Sequence, residues 1–519
     1  MRFCSRVKWA LALAVAAAVL TAQPVLAAGK VAKLEAPDLA RAIDQHIQAR
    51  LDAEKVQAAP LADDAEFLRR LYLDLTGVIP PPDKVVAFLN DKSPDKRARV
   101  IDELLANPLY GRHLADIWQA MLLPRNSDNR RLQYDPMIKW LEENFNANKP
   151  WDRMVSEIVT ALGDQQKNGA VTFFLANPTA DKVNDAVSRY FLGIQLQCAQ
   201  CHNHPFTKWK QTDYWGMANF FIKVRPDNPN RAAKQGITPG VNESGQGRQR
   251  NLPESAMNLP PKFLLGEAPQ LKASDPYRPA LAAWLTSGDN PYFAKAMVNR
   301  MWNQLFGRGI VNPVDDMHEG NLPSHPELLK ELSAQFVANG FDLKYLVRAI
   351  CNSQAYQRSS KPVSADADPS LFAHMAVKVM TPEQLFDSLE AVLGKVGRPN
   401  QAAKPAAARL NSPRALFVAF FSGDENADPT EYQDGIPQAL RLMNSGQMNN
   451  LQNVVAKAAK AGDPSAVIEQ LYLTTISRRP TAAETERLTE YVKKQGSANQ
   501  AYSDILWALL NSSEFRLNH

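Results

Sequence analysis

The chain has 519 residues, 45% of them hydrophobic and 22% charged, which is too long for one hydrophobic core and too apolar for wholesale disorder. Its formal charge is +5, and the first 28 residues carry three positive and no acidic groups, so a chain without them stands at +2. A balance that small excludes nucleic-acid binding as an expectation from charge.

The first 28 residues have the layout of a cleaved secretory signal. Arg2, Arg6 and Lys8 form a basic start, Trp9 to Ala22 an apolar run, and Val25-Leu26-Ala27 a small-residue cleavage site. The apolar run is short for a bilayer span, and no later stretch approaches span length. The expectation is a periplasmic or secreted protein with no transmembrane segment in the mature chain.

Residues 29–60 read as an exposed leader helix, and 61–224 as a first helical domain. Ser93-Pro94 signals a helix start, with Val100, Ile101, Leu104 and Leu105 as its apolar face. Residues 225–262, rich in Pro, Gly, Asn and Gln, read as a linker. Its Arg231, Lys234, Arg248 and Arg250 are expected to be solvated. Residues 263–519 read as a second helical domain, interrupted near 397–413. Capping boxes are expected at Ser324/Glu327, Thr381/Gln384 and Thr481/Glu484, and Asn339-Gly340 is expected to stop the helix that follows Ser324. Alternating strand patterns are scarce, so the fold class is all-α, two multi-helix domains joined by a linker. Leu71-Tyr72-Leu73 before Pro80 is echoed by Leu471-Tyr472-Leu473 before Pro480, with Leu104-Leu105 and Leu509-Leu510 following. The pair reads as an ancient duplication or as two similar helical hairpins.

Beyond the leader the cysteines are Cys198, Cys201 and Cys351, too few for a disulfide scaffold. Cys351 follows the apolar stripe Leu343, Leu346, Val347, Ile350 and is expected to be buried and inert. The other two belong to Cys198-Ala199-Gln200-Cys201-His202, a c-type haem attachment motif: two thiols to add to the vinyl groups and an imidazole to ligate the iron. Val183, Val187, Phe191, Ile194 and Cys198 follow helical spacing, which predicts that Cys198, Cys201 and His202 continue one helix face until Pro205. Trp209, Tyr214, Trp215, Phe220 and Phe221 are candidate walls for a flat cofactor or ordinary core aromatics.

In the haem reading His202 is the proximal ligand. Met217, Met121, His113 and His318 are candidates for the distal one, and a five-coordinate iron is the other option. Two further readings of the motif stay open: a zinc site that adds His204, and a disulfide or dithiol, either of which fits a helical scaffold or partner-binding protein. A second polar cluster, Asp315, Asp316, His318, Glu319 and His325, offers acid/base groups for a hydrolase or lyase, or a polar turn capping the helix near Ser324.

Phe67-Leu68-Arg69-Arg70-Leu71-Tyr72-Leu73-Asp74-Leu75-Thr76-Gly77, with Cys198 to Phe206 and Asp213-Tyr214-Trp215, resembles the planctomycete cytochrome-like (PSCyt-type) domain. Asn299-Arg300-Met301-Trp302, Phe306 to Val311, Pro323 to Leu329 and Leu509 to Phe515 resemble the planctomycete-specific (PSD-type) domain that follows it. The resemblance implies this domain order and export, supplies no established activity, and leaves Cys198–His202 as the one haem site.

Overall fold

The computed structural model describes residues 32–124, 132–244, 259–363, 367–393, 412–421 and 451–519. The signal segment, Arg248, Arg250 and most of the Ala/Pro-rich stretch lie outside them. The described residues are helical nearly throughout, as the spacing predicts, with five short strands. In chain order the helices of the first half are α1 (Ala36–Glu54), α2 (Asp64–Thr76), α3 (Pro82–Asn90), α4 (Lys96–Ala106), α5 (Pro108–Leu122), α6 (Asp135–Asn146), α7 (Trp151–Thr160), α8 (Thr172–Ala176), α9 (Ala180–Leu192), α10 (Gln211–Ala218) and α11 (Pro229–Lys234). The second half adds α12 (Arg278–Leu285), α13 (Phe293–Phe306), α14 (Pro326–Ala338), α15 (Leu343–Asn352), α16 (Gln354–Gln357), α17 (Pro382–Leu393), α18 (Pro413–Phe421), α19 (Gln452–Ala458), α20 (Pro464–Thr475), α21 (Ala482–Lys494), α22 (Ala498–Leu510) and α23 (Ser513–Arg516).

Helix α1 is not an exposed leader. Leu39, Ile43, Ile47 and Leu51 recur every fourth residue and are fully buried, because this stripe docks on α14 and α15. Tyr345 Oη donates to Leu34 O at 2.8 Å, and Asp44 accepts from the backbone N–H groups of Gln354 and Ala355.

The packing units do not divide at the 225–262 segment. One hydrophobic core runs from Ala36 to Met375 and takes in Leu473 as well, because α12 packs on α7 and α13 on α9, joining the two halves. A second core spans Met380 to Phe515 and takes Leu73 and Ile79 from the first half. The expected linker is itself partly folded. β1 (Gly163–Asp164), β2 (Val224–Pro226) and β3 (Gly240–Glu243) form an antiparallel sheet in the order β1-β3-β2, and buried Arg278 ties Glu243 to the carbonyls of Val159 and Ala161. Arg231 and Lys234 are exposed on α11, as expected.

Helix α2 joins the two cores. Its N-cap Asp63 accepts from Glu66 N, and it ends at Gly77 in the left-handed region (φ +70°), where a Cβ would lie 2.6 Å from His113 Nδ1. Arg69 donates to the carbonyls of Thr475 and Phe515, and Arg70 to those of Tyr356 and Arg358. Asp74 accepts from Tyr356 Oη, Lys378 Nζ and Asn518 Nδ2, beside the second sheet, in which β4 (Lys378–Val379) pairs with β5 (Leu517–Asn518).

The hairpin echo holds locally. Helices α2 to α5 and α20 to α23 follow the same order, and Gly77 and Ser477, four hundred positions apart, both take a positive φ before the proline turn. The capping boxes at Thr381/Gln384 and Thr481/Glu484 form. The one at Ser324/Glu327 does not, because Ser324 Oγ donates to Ile310 O and the N-cap is His325. Asn339 and Gly340 end α14 as predicted. Ser93 caps a turn rather than α4: its N–H and Oγ bond Asp91 Oδ1, while α4 still buries Val100, Ile101, Leu104 and Leu105. Among the described residues, no helix is long and apolar enough to cross a membrane.

Candidate functional site

The Cys198–His202 motif lies on a loop rather than on the face of α9. Gly193 takes φ +67° and ends the helix, its N–H bonding Arg189 O and the Ile194 N–H bonding Ser188 O. The apolar stripe therefore stops as a helical stripe at Leu192, although Ile194 and Leu196 stay buried. A short 3₁₀ turn, Gln197–Gln200, follows, with Ala199 buried beneath it. Cys198, Cys201 and His202 are exposed, and both thiols are free.

The loop is exposed but held from below. Trp215 Nε1 donates to Gln200 O at 3.0 Å, and Gln211 Nε2 donates to Gln200 O and Cys201 O at 3.1 and 3.0 Å. The N–H of Gln211 bonds Asn203 Oδ1, and the N–H of His204 bonds Trp209 O. Helix α10 is in turn fixed to α9 by Tyr214 Oη donating to Asp185 Oδ1 at 2.9 Å. Burial there pushes the Asp185 carboxyl up to about 6, against the lowering effect of the Tyr214 hydroxyl. Trp209, Tyr214, Trp215, Phe220 and Phe221 are buried core aromatics, and of these Trp209 and Trp215 bond the loop directly.

The histidine tautomers follow from their backbone partners, since a carbonyl only accepts and an N–H only donates. His202 Nδ1 lies 2.8 Å from Asn203 O, so it carries the proton and leaves Nε2 with a bare lone pair. This is the arrangement by which a second hydrogen bond orients a ligating imidazole. His204 is the reverse: its Nδ1 accepts from Phe206 N at 3.2 Å, so Nε2 bears the hydrogen. Burial lowers the pKa of His204, with His318 and His202 adding to the effect and Asp316 opposing it.

The second polar cluster does not converge as a unit. Asp315 is buried and paired with Arg300 and, at 3.1 Å, with Arg189 of α9. His325 is buried elsewhere, its ring 5.4 Å from Phe372, and desolvation together with Arg50 and His46 lowers its pKa to about 4. A hydrolase or lyase centre using all five residues therefore has no geometric basis. The middle of the cluster instead packs beside the motif loop. Met317 N donates to Gly193 O at 2.8 Å, Glu319 pairs with Lys208 at 2.6 Å, and His318 Nε2 lies 3.5 Å from Asp316 Oδ2. Between the two loops lies a pocket of about 110 Å³, lined by Phe206, Lys208, Trp209, Tyr292, Met317 and His318 among others. That is well below the ~300 Å³ at which enclosed small-molecule sites begin. Phe206 itself is 85% exposed.

Of the distal-ligand candidates, Met217 is sealed in the core and Met121 Sδ accepts from Arg300 Nη1 at 3.1 Å. His113 is buried against Gly77, and only His318 sits beside the motif loop. Cys351 is fully buried and burial raises its thiol pKa, as the stripe predicts. Sequence reasoning missed Gly193, Asn203 and Gln211, which shape and hold the loop. Gly193 directly after the apolar stripe was the available stop signal.

Residues 42–226 match the family model PSCyt2, described as a protein of unknown function (DUF1549), and residues 277–492 match PSD1, likewise of unknown function (DUF1553). The chain belongs to the family of proteins in which these two domains follow one another in this order. No curated protein and no solved structure matches it.

Proposed function

We propose that this is an exported c-type haem protein with a redox or electron-transfer role, its haem carried on Cys198 and Cys201 with His202 as proximal ligand. The observation that carries the reading is the donor set: two free, exposed thiols three residues apart, followed by an imidazole whose Nε2 is bare. In attachment, each thiol S–H adds across one vinyl C=C, the hydrogen going to the vinyl carbon, so no external oxidant is required. A bound haem would supply one-electron chemistry. The chain's own contribution is to fix the loop backbone through Gln211 and Trp215 and to set the His202 tautomer through Asn203. The signal-like segment 1–28 supports export.

A zinc site at Cys198, Cys201, His202 and His204 is less well supported. His204 Nδ1 is taken by Phe206 N–H, and among the described residues no three His, Cys, Asp or Glu side chains are arranged to hold a metal ion. The test is a pyridine haemochrome spectrum of the protein produced with cytochrome c maturation machinery. Covalent haem that survives denaturation is expected. A colourless protein containing stoichiometric zinc, or a Cys198–Cys201 disulfide, would overturn the reading in favour of a helical scaffold.

A further inference from the structure

The hairpins α2–α3 and α20–α21 agree in more than their order. Helix α2 starts at the N-cap Asp63, whose side chain accepts from Glu66 N. Four hundred positions later α20 starts at the N-cap Asp463, which accepts from Ser465 N and Ala466 N. At the same separation Phe67, Leu68, Leu71, Tyr72 and Leu73 match Val467, Ile468, Leu471, Tyr472 and Leu473, all of them buried. Gly77 and Ser477 then take φ +70° and +61°. A positive φ is ordinary for glycine and uncommon for serine, so the bend is kept although the residue that favours it is not. Pro80 and Pro480 follow, and the next helices begin at Pro82 and Ala482.

The match resumes after one change of length. Helix α21 has 13 residues against nine in α3, and beyond it the separation is 405. Val100, Ile101 and Leu105 of α4 match Ile505, Leu506 and Leu510 of α22, all buried. Asn107 caps α5 by accepting from Leu109 N, and its match Ser512 caps α23 by accepting from Phe515 N. Buried Tyr110 matches buried Phe515. Caps, bend and buried positions have different physical causes, so their agreement in one register exceeds what amphipathic periodicity imposes on any two hairpins.

The two units also pack on one another. Leu73 of α2 lies in the second core, and its match, Leu473 of α20, lies in the first. Each unit thus gives the same leucine to the other's core. Helix α3 packs on α20. Arg69 donates to Thr475 O, Ser477 Oγ and Phe515 O, at the helix end, the bend and the closing aromatic of the second unit. This polar clasp is one-sided: Glu469, the match of Arg69, pairs with Arg479 of its own unit at 3.0 Å.

We infer that residues 63–110 and 463–515 are two copies of one ancestral helical unit, and that each is the docking partner of the other. They meet as two subunits of a twofold pair do, with the matched leucine crossing in both directions. The partner that the α2 face takes is therefore a second copy of its own unit, supplied by the same chain.

Hydrogen exchange of the full-length chain reads the pairing helix by helix. Leu73→Ala should speed exchange more in α20 and α22 than in α4 and α5. Leu473→Ala should speed it more in α3 and α4 than in α21 and α22. The excess is expected to be roughly tenfold or more, as a leucine lost from a core gives. Where an alanine variant does not fold, Leu73→Val or Leu473→Val takes its place in the same comparison. Loosening that is equal, or greater, in the mutated residue's own unit would overturn the pairing. Common descent is read from relatives of this chain, by aligning their two segments with each other. The register expected puts Asp63 on Asp463 and Asn107 on Ser512. Another register, or no alignment, would overturn the shared origin.

Discussion

Helix α2 and the Cys198–His202 loop are both rich in polar side chains, yet they meet solvent in opposite ways. In α2, Arg69, Arg70 and Asp74 are buried, and their charged ends are spent on carbonyls and side chains of segments hundreds of residues away. In the loop, every hydrogen bond that holds the backbone comes from within about fifteen residues, while the thiols and the His202 Nε2 carry no partner. The difference separates two jobs. Buried polar groups bonded to distant segments, here with only the Nε of Arg69 and of Arg70 unpartnered, specify how elements dock. An exposed group with a bare reactive atom, on a backbone that is nonetheless fixed, is arranged for chemistry.

The sharpest way to break that contrast is to remove an α2 charge. Asp74→Ala should cost about 3–5 kcal/mol in urea unfolding, because it strands the Lys378 ammonium. Arg69→Ala should cost about 3 kcal/mol, because it leaves the carbonyls of Thr475 and Phe515 without their donor. A loss below ~1 kcal/mol would mean that α2 does not clasp the two cores. Next in size is a pH effect at His325, the buried counterpart of His202. Its folded pKa, near 4, lies below the unfolded value near 6.5, so its contribution is present above pH 6.5 and lost as pH falls toward 4. The expected loss is up to about 3 kcal/mol. His325→Asn should flatten that part of the stability–pH curve, measured as the difference between variant and parent.

Smaller effects probe the loop. Gln211→Ala removes donors to Gln200 O and Cys201 O and should cost about 1 kcal/mol, with faster reaction of the two thiols toward an aromatic disulfide reagent. Smallest of all, the double variant Cys198→Ser, Cys201→Ser should change stability by no more than ~0.5 kcal/mol while abolishing covalent haem. A large destabilisation in that variant would make the motif structural and remove the contrast with α2.

Much of the fold was legible because it is local. The apolar faces of α4 and α14, the stop at Asn339-Gly340 and two capping boxes depend on residues within a turn or two of one another. What the sequence obscured is long-range. Nothing in residues 29–60 says that their apolar stripe will meet α15, and composition at 225–262 conceals a sheet paired with Gly163 and Asp164. The same holds for the candidate site. Its reactive residues are written in five consecutive positions, but the packing of Met317 against Gly193 joins segments more than a hundred residues apart. Asp315 looked like chemistry in the sequence because a carboxylate reads the same whether it is free or buried between Arg300 and Arg189.

The proposed covalent haem on the exposed motif loop is open to one direct measurement. Intact-mass spectrometry of the denatured, maturation-exposed protein tests it most directly, with the double cysteine variant alongside. The prediction is a parent protein heavier than its polypeptide by one haem and a variant at the polypeptide mass. A parent protein at the bare polypeptide mass would contradict it.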